Sequence, residues 1–169
     1  MRILTIKNKK DLSVLRQKLP FFDLSKAKKS ELREVIKQMR AAMKAAPGVG
    51  LAANQVGRTE RLFVAQVPKS RDSTSDEKFY AILNPKIVKL SEGKIIEEEG
   101  CLSVPETYGA VPRAEKVVLE GETLEGKKIR IKAWGLLARV FQHEVDHLDG
   151  KTFLDRTKEI YKVEADRRR

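Results

Sequence analysis

The chain is poor in the residue types that usually build metal and redox chemistry: 169 residues contain a single cysteine and only two histidines. One cysteine excludes an intramolecular disulfide, which fits a reducing compartment and leaves the Cys101 thiol free for chemistry. No apolar run approaches the roughly 18–20 residues needed to cross a bilayer. The start, MRILTIKNKK, lacks the apolar core and cleavage site of a signal peptide. A cytoplasmic protein with no membrane association is therefore expected. There is also no internal repeat, no low-complexity stretch and no break in composition. A single domain spanning residues 1–169 is expected, with about residues 157–169 forming a short basic tail that ends in Arg167-Arg168-Arg169.

What the chain does have is charge and enough apolar mass to fold. Hydrophobic residues make up 41% and charged residues 35%, which suits a globule with a buried core and excludes a disordered chain. The net charge is +11. Such a balance suits a polyanionic neighbour such as RNA or a ribosome, although lysines and arginines spread along the whole chain also read as a solvated basic surface.

Leu32, Val35, Ile36, Met39, Ala42, Met43 and Ala46 recur at three- and four-residue steps and predict a long helix over residues 25–46. Asp23 or Ser25 is placed to cap it, and Pro47-Gly48 to stop it. The stretch 48–57, GVGLAANQVG, is small and apolar, and reads as a loop or bent strand where backbone approaches something closely. Strands are expected at 61–67, 79–83, 86–90 and 94–99, a hairpin at 116–120 and 128–133, and an exposed loop at 68–78. A second helix is expected over 136–148, with Gly150 as its left-handed cap, and a short helix in the tail. The fold class that follows is α+β: an antiparallel or mixed sheet packed around a central helix that carries an HExDH sequence, with a long helix toward the N-terminus.

That sequence, His143-Glu144-Val145-Asp146-His147, holds both histidines of the chain. On a helix, positions i and i+4 lie on one face, so two imidazoles can grip one metal ion. Glu144, one residue after the first imidazole, can serve as acid and base to a water at the metal. A catalytic site usually takes three protein ligands and leaves a position open. No histidine follows His147, and the later carboxylates, Asp155 and Glu159 among them, sit in a basic tail. Cys101 in Glu99-Gly100-Cys101-Leu102-Ser103 is the better third ligand, with Gly100 read as a tight turn that leaves the sulfur accessible. A thiolate with two imidazoles suits zinc, ferrous iron, cobalt or nickel, and argues against calcium or magnesium. A zincin-like metallopeptidase with a downstream ligand, and a basic RNA- or ribosome-binding module with a structural metal, are the alternatives.

Three segments, GVGLAANQ at 48–55, EGCLS at 99–103 and QHEVDHLDG at 142–150, occur in the order and form of the three motifs of peptide deformylases. The chain resembles that family from its first helix to Arg156. The resemblance implies a single catalytic domain that removes the N-formyl group from formyl-methionine of nascent polypeptides and releases formate. It implies one divalent metal per chain on Cys101, His143 and His147, ferrous iron in the cell, with Zn2+, Ni2+ or Co2+ also supporting activity. It makes Glu144 the acid/base and gives the oxyanion to the Gln55 side chain and the Leu102 backbone N–H. An extended formyl-methionyl peptide is expected to lie close to Gly50 and Gly100, with the methionine side chain near Val49, Leu102, Leu136 and Val140. The positive charge then fits docking near the ribosomal exit tunnel.

Overall fold

In the computed structural model, which describes residues 1–68 and 77–163, the expected long helix is shorter than its expected span, 25–46. Asp23 caps a 3-10 turn at Leu24–Lys26, accepting from the Ser25 amide at 3.0 Å. Ala27 and Lys28 are extended, so the helix proper, α2, runs Lys29–Ala45 without a side-chain cap. Its buried face is Leu32, Ile36, Met39 and Met43. An earlier helix, α1 (Lys9–Leu15), was not anticipated from the sequence. Asn8 caps it by accepting from the Lys10 and Asp11 amides, and seven residues are too few to show a period.

Two antiparallel sheets follow. The first has five strands in the order β1 (Gly50–Ala52), β2 (Leu62–Pro68), β3 (Glu77–Leu90), β6 (Lys116–Glu122), β7 (Lys128–Trp134). The second has three, β4 (Lys94–Cys101), β5 (Val104–Ala114) and β8 (Ile160–Lys162). The separate strands expected at 79–83 and 86–90 are one strand. Asn84 takes φ 49°, and its side-chain amide ties to Phe22 N at 3.0 Å and Phe22 O at 2.8 Å. The strand bulges past Asn84-Pro85 and continues. β5 escaped the sequence reading because Pro105, Gly109 and Pro112 interrupt it. The tail forms no helix in its described part: Ile160–Lys162 pairs with Thr107–Gly109 of β5. Residues 69–76 of the expected loop, and Arg167-Arg168-Arg169, lie outside the described residues.

The last helix, α3 (Gly135–Leu148), lies between the sheets. Its apolar face, Phe141, Val145 and Leu148, joins α2 and the five-stranded sheet in one core, with Phe141 against Phe63 and Tyr80 at ring distances of 5.6 and 5.5 Å. Its other face turns Arg139, His143 and Asp146 toward the smaller sheet. Gly150, at φ 73°, ends the helix, and its amide bonds to His147 O at 2.9 Å. A Cβ at Gly150 would stand 2.4 Å from Arg16 O, so only glycine fits that turn against the segment after α1.

Candidate active site

Each of the three motif segments occupies a different element, and the N-terminal segment ties two of them together. Leu4 N donates to Gln55 O at 2.7 Å, and Ile6 N to Ser103 O at 2.9 Å. Gln55 sits in a 3-10 turn, Ala53–Val56, that follows β1 and is closed by Gly57 at φ 74°. Its Oε1 accepts from Ala52 N at 2.8 Å, which turns the Nε2 end toward Ser103 Oγ at 3.0 Å and Cys101 Sγ at 3.7 Å. Cys101 ends β4, and Leu102-Ser103 make the two-residue turn into β5. Among the described residues the Leu102 N–H has no acceptor.

The turn therefore lies one residue beyond Cys101 and not at Gly100. Gly100 is a strand residue whose Cβ would meet the Tyr108 ring at 2.7 Å. Glycine is required there by the tyrosine, whose ring also stacks on Tyr161 at 6.0 Å. Gly50 has a comparable reason: a Cβ would lie 2.2 Å from Glu144 Oε1. The close approach expected of this glycine is to the carboxylate.

Cys101 Sγ, His143 and His147 bring one ligand atom each to within 4.8 Å of one another. Sγ lies 3.1 Å from His147 Nε2, which lies 3.2 Å from His143 Nε2. Nitrogen lone pairs do not face one another at that distance without a cation or proton between them. The proton balance has the same character. Burial pulls His143 down, but hydrogen bonds to Cys101 and Glu99 outweigh it and hold the imidazole well above its ordinary value. Burial and the charge of His143 push His147 well below. The cluster is built for one shared positive charge, and a sulfur with two imidazoles fits a divalent ion of the zinc or ferrous type.

Glu144 is buried, and its Oε2 has no hydrogen-bond partner among the described residues. Burial pushes its carboxyl up to about 7. Behind this cluster lies a charged network. Glu99 accepts from Arg113 Nε at 2.8 Å and Nη2 at 2.9 Å, from Arg139 Nη1 at 2.7 Å, and meets His143 Nδ1 at 2.9 Å. Burial alone would raise Glu99, but Arg113 and His143 hold it far below the usual carboxylate range. Asp146 pairs with Arg113 and with Arg156, so it braces α3 and is no ligand. Glu99, Arg113, Arg139 and Ser103 were missed in the sequence. Glu99 carried a usable signal, since it stands two residues before Cys101 on a strand and so shares its face.

Cys101 and His143 open into a cleft of about 510 Å3 between β1 and the β4–β5 hairpin, with His147 buried beside them. Val49, Gly50, Gly100, Leu102, Leu136 and Val140 all line it beside Gln55, Cys101, His143 and Glu144. Val140 is 4% exposed and Val49 and Leu136 nearly half exposed, so the former belongs to the floor and the latter two to the rim. Of the downstream carboxylates that could complete a zincin-like ligand set, Asp155 is committed elsewhere: it accepts from Thr152 N and pairs with Arg16.

A family model described as polypeptide deformylase matches residues 1–163. The chain belongs to that family. A peptide deformylase of Roseiflexus castenholzii is 44% identical over 138 residues, 76% of this chain and 75% of the relative. Among solved structures, a probable peptide deformylase from Synechococcus phage S-SSM7 superposes with a TM-score of 0.81 at 38% identity, covering 93% of this chain and 99% of the other. The Met-Ala-Ser complex of a class I type b peptide deformylase from Acinetobacter baumannii gives 0.82 at 31% identity, covering 93% and 98%. The deformylase of this chain is a metal-dependent hydrolase that removes the N-formyl group from nascent polypeptides. Neither the metallopeptidase nor a binding module alone is favoured. No helix among the described residues is long and apolar enough to cross a membrane.

The Gly50 contact gives a direct prediction. Gly50→Ala forces the Glu144 carboxylate aside, and a displacement of that order near the reacting atoms costs about a hundredfold in kcat. Metal content measured on the same preparation should stay at the parent level, since a Cβ at Gly50 meets Glu144 and none of Cys101, His143 and His147.

Proposed function

We propose that Cys101, His143 and His147 hold the metal ion of this deformylase, with Glu144 moving the proton and Gln55 and Leu102 receiving the oxyanion. The observation that carries the reading is a buried, unpartnered carboxylate beside three converging soft and borderline donors at the base of a peptide-sized cleft. When bound, the metal makes a water acidic enough to attack near neutral pH and polarises the formyl oxygen. Glu144 takes the proton of that water and returns it to the departing amine, a task suited to a carboxyl near 7. Attack turns the flat formamide tetrahedral and puts charge on its oxygen. The Gln55 amide, held by Ala52 N, and the free Leu102 N–H are preset donors for that charge.

The peptide enters as an added strand. β1 pairs with β2 on one side only, and its other edge borders the cleft. An extended formyl-methionyl peptide can run along that edge, exchanging backbone hydrogen bonds. Leu102, Leu136, Val140 and Val49 then receive the methionine side chain. The relative solved with Met-Ala-Ser is consistent with such an occupant. The whole chain serves as a single catalytic domain, at work in the cytoplasm beside the ribosome, where its positive charge favours docking.

The metal in the cell is ferrous iron, with zinc, nickel or cobalt able to replace it. A thiolate on ferrous iron is open to oxidation at both partners. Aerobic storage should therefore abolish turnover of the iron-loaded protein while leaving the nickel-loaded form active; equal survival of both would contradict the iron assignment. The reaction itself is tested with formyl-Met-Ala-Ser: formate should appear with Met-Ala-Ser left intact. Release of free amino acids without formate would instead mean a peptidase.

A further inference from the structure

The edge of the five-stranded sheet opposite β1 carries a feature that deformylation does not use. Along β7 the side chains alternate. Ile129, Ile131 and Ala133 face the core, and Lys128, Arg130, Lys132 and Trp134 face solvent. The register sets Lys116 of β6 opposite Trp134, and Val118 opposite Lys132, with Lys89 of β3 beyond Val118. Lys89, Lys116 and Lys132 have no ion-pair partner among the described residues; on the same face only Arg130 does, with Glu120. Trp134, the sole tryptophan of the chain, is 70% exposed, and Leu90 is 55% exposed. These residues border a shallow groove of about 680 Å3 that shares no residue with the cleft.

Lysines on an edge strand discourage strand pairing between molecules. That reason covers Lys132 and leaves the tryptophan unexplained, since a large exposed ring on a sheet edge invites the association that lysine prevents. A flat ring amid free cations is what a single-stranded nucleic acid needs: a surface on which a base stacks, with ammonium groups at hand for the phosphates. A lipid surface would favour more apolar residues than Leu90 and Trp134 supply, and a protein partner would have to bring matching acids.

We propose that this face of β3, β6 and β7 binds single-stranded RNA, with a base stacked on Trp134 and phosphates held by Lys89, Lys116 and Lys132. The choice of RNA over DNA rests on the deformylase reading, since nascent chains emerge from an RNA machine. The binding itself is measured without turnover, so its failure leaves that reading untouched.

The test uses the full-length, metal-loaded protein and a short oligouridylate. Because Trp134 is the only tryptophan, tryptophan fluorescence comes from the ring that borders this groove. Saturable quenching that weakens with salt is expected. Lys132→Glu should weaken binding at least about tenfold, while Lys37→Glu, the same charge change on the exposed side of α2, stays within about twofold. Formate release should be the same in both variants. Trp134→Ala, followed with a labelled oligonucleotide, should lose at least about tenfold as well. Three results would overturn the proposal: no quenching, equal losses in the two charge variants, or quenching by phosphatidylglycerol vesicles but not by RNA.

Discussion

Glu144→Gln should lower kcat for formyl-Met-Ala-Ser by at least about a hundredfold, with metal content unchanged. Glutamine keeps the shape of the side chain beside Gly50 but cannot take a proton from water or return one to the amine. The same variant should show the carboxylate's cost to the fold. Burial raises Glu144 from the ordinary range to about 7. A carboxyl raised in the folded state binds protons more tightly there, so its contribution is favourable below an unfolded value of about 4.3 and is lost as pH rises through 7. In the chelated protein, Glu144→Gln should therefore be more stable than the parent at pH above 7, and the difference should vanish in acid. Denaturant unfolding at a series of pH values reads this. A variant that lost activity and stability together would mean that Glu144 acts mainly in holding the fold.

The second large effect concerns Arg113, which no metal ligand touches directly. Its guanidinium is 4% exposed and joins Glu99 to Asp146. Removing one partner of a buried ion pair costs about 3–5 kcal/mol when the other charge is left uncompensated; here Arg139 stays on Glu99 and Arg156 on Asp146, which leaves a loss of about 3 kcal/mol, the lower end of that range. Arg113→Met should therefore be destabilised by that order at neutral pH. The sign of its pH dependence separates this cause from lost packing. Glu99 is depressed in the parent, so its contribution is present above about 4.3 and is lost only as pH falls through the lower folded value. Without Arg113, burial acts on Glu99 with less opposition, and a protonated Glu99 needs no guanidinium. The deficit of the variant should shrink as pH is lowered, whereas a simple cavity would cost the same throughout. Because Glu99 also holds His143 Nδ1, metal affinity should fall by about ten- to a hundredfold, measured by competition with a chromophoric chelator.

The grouping of Cys101, His143 and His147 was legible in the sequence because these residues are rare or locally patterned. Two histidines four apart on a helix, a sole cysteine and a run of small residues need no tertiary information to be singled out. The helix α3 and the β6–β7 hairpin were equally plain, since an apolar period and a Gly-containing turn are local signals. What escaped depends on partners distant in the chain. Pro105, Gly109 and Pro112 disguise β5, which is a strand because β4 and β8 pair with it. Asn84-Pro85 looks like a break and is a bulge, because Phe22 satisfies the asparagine. Gly50 and Gly100 were singled out for a substrate and a turn, but the groups that a Cβ would meet there, the Glu144 carboxylate and the Tyr108 ring, lie far away in sequence. The Glu99–Arg113–Asp146 network is likewise invisible until β4, β5 and α3 are brought together.

We propose that deformylation runs at a metal held by Cys101, His143 and His147. The most direct measurement is formate release from formyl-Met-Ala-Ser, followed in the absence of oxygen before chelation, after stripping, and after one equivalent of ferrous iron is returned, for the parent and for Cys101→Ala. The account predicts turnover that disappears with the metal and returns with it in the parent, and no recovery in the variant. Full recovery in Cys101→Ala at the same metal concentration, or undiminished turnover in the stripped parent, would contradict it.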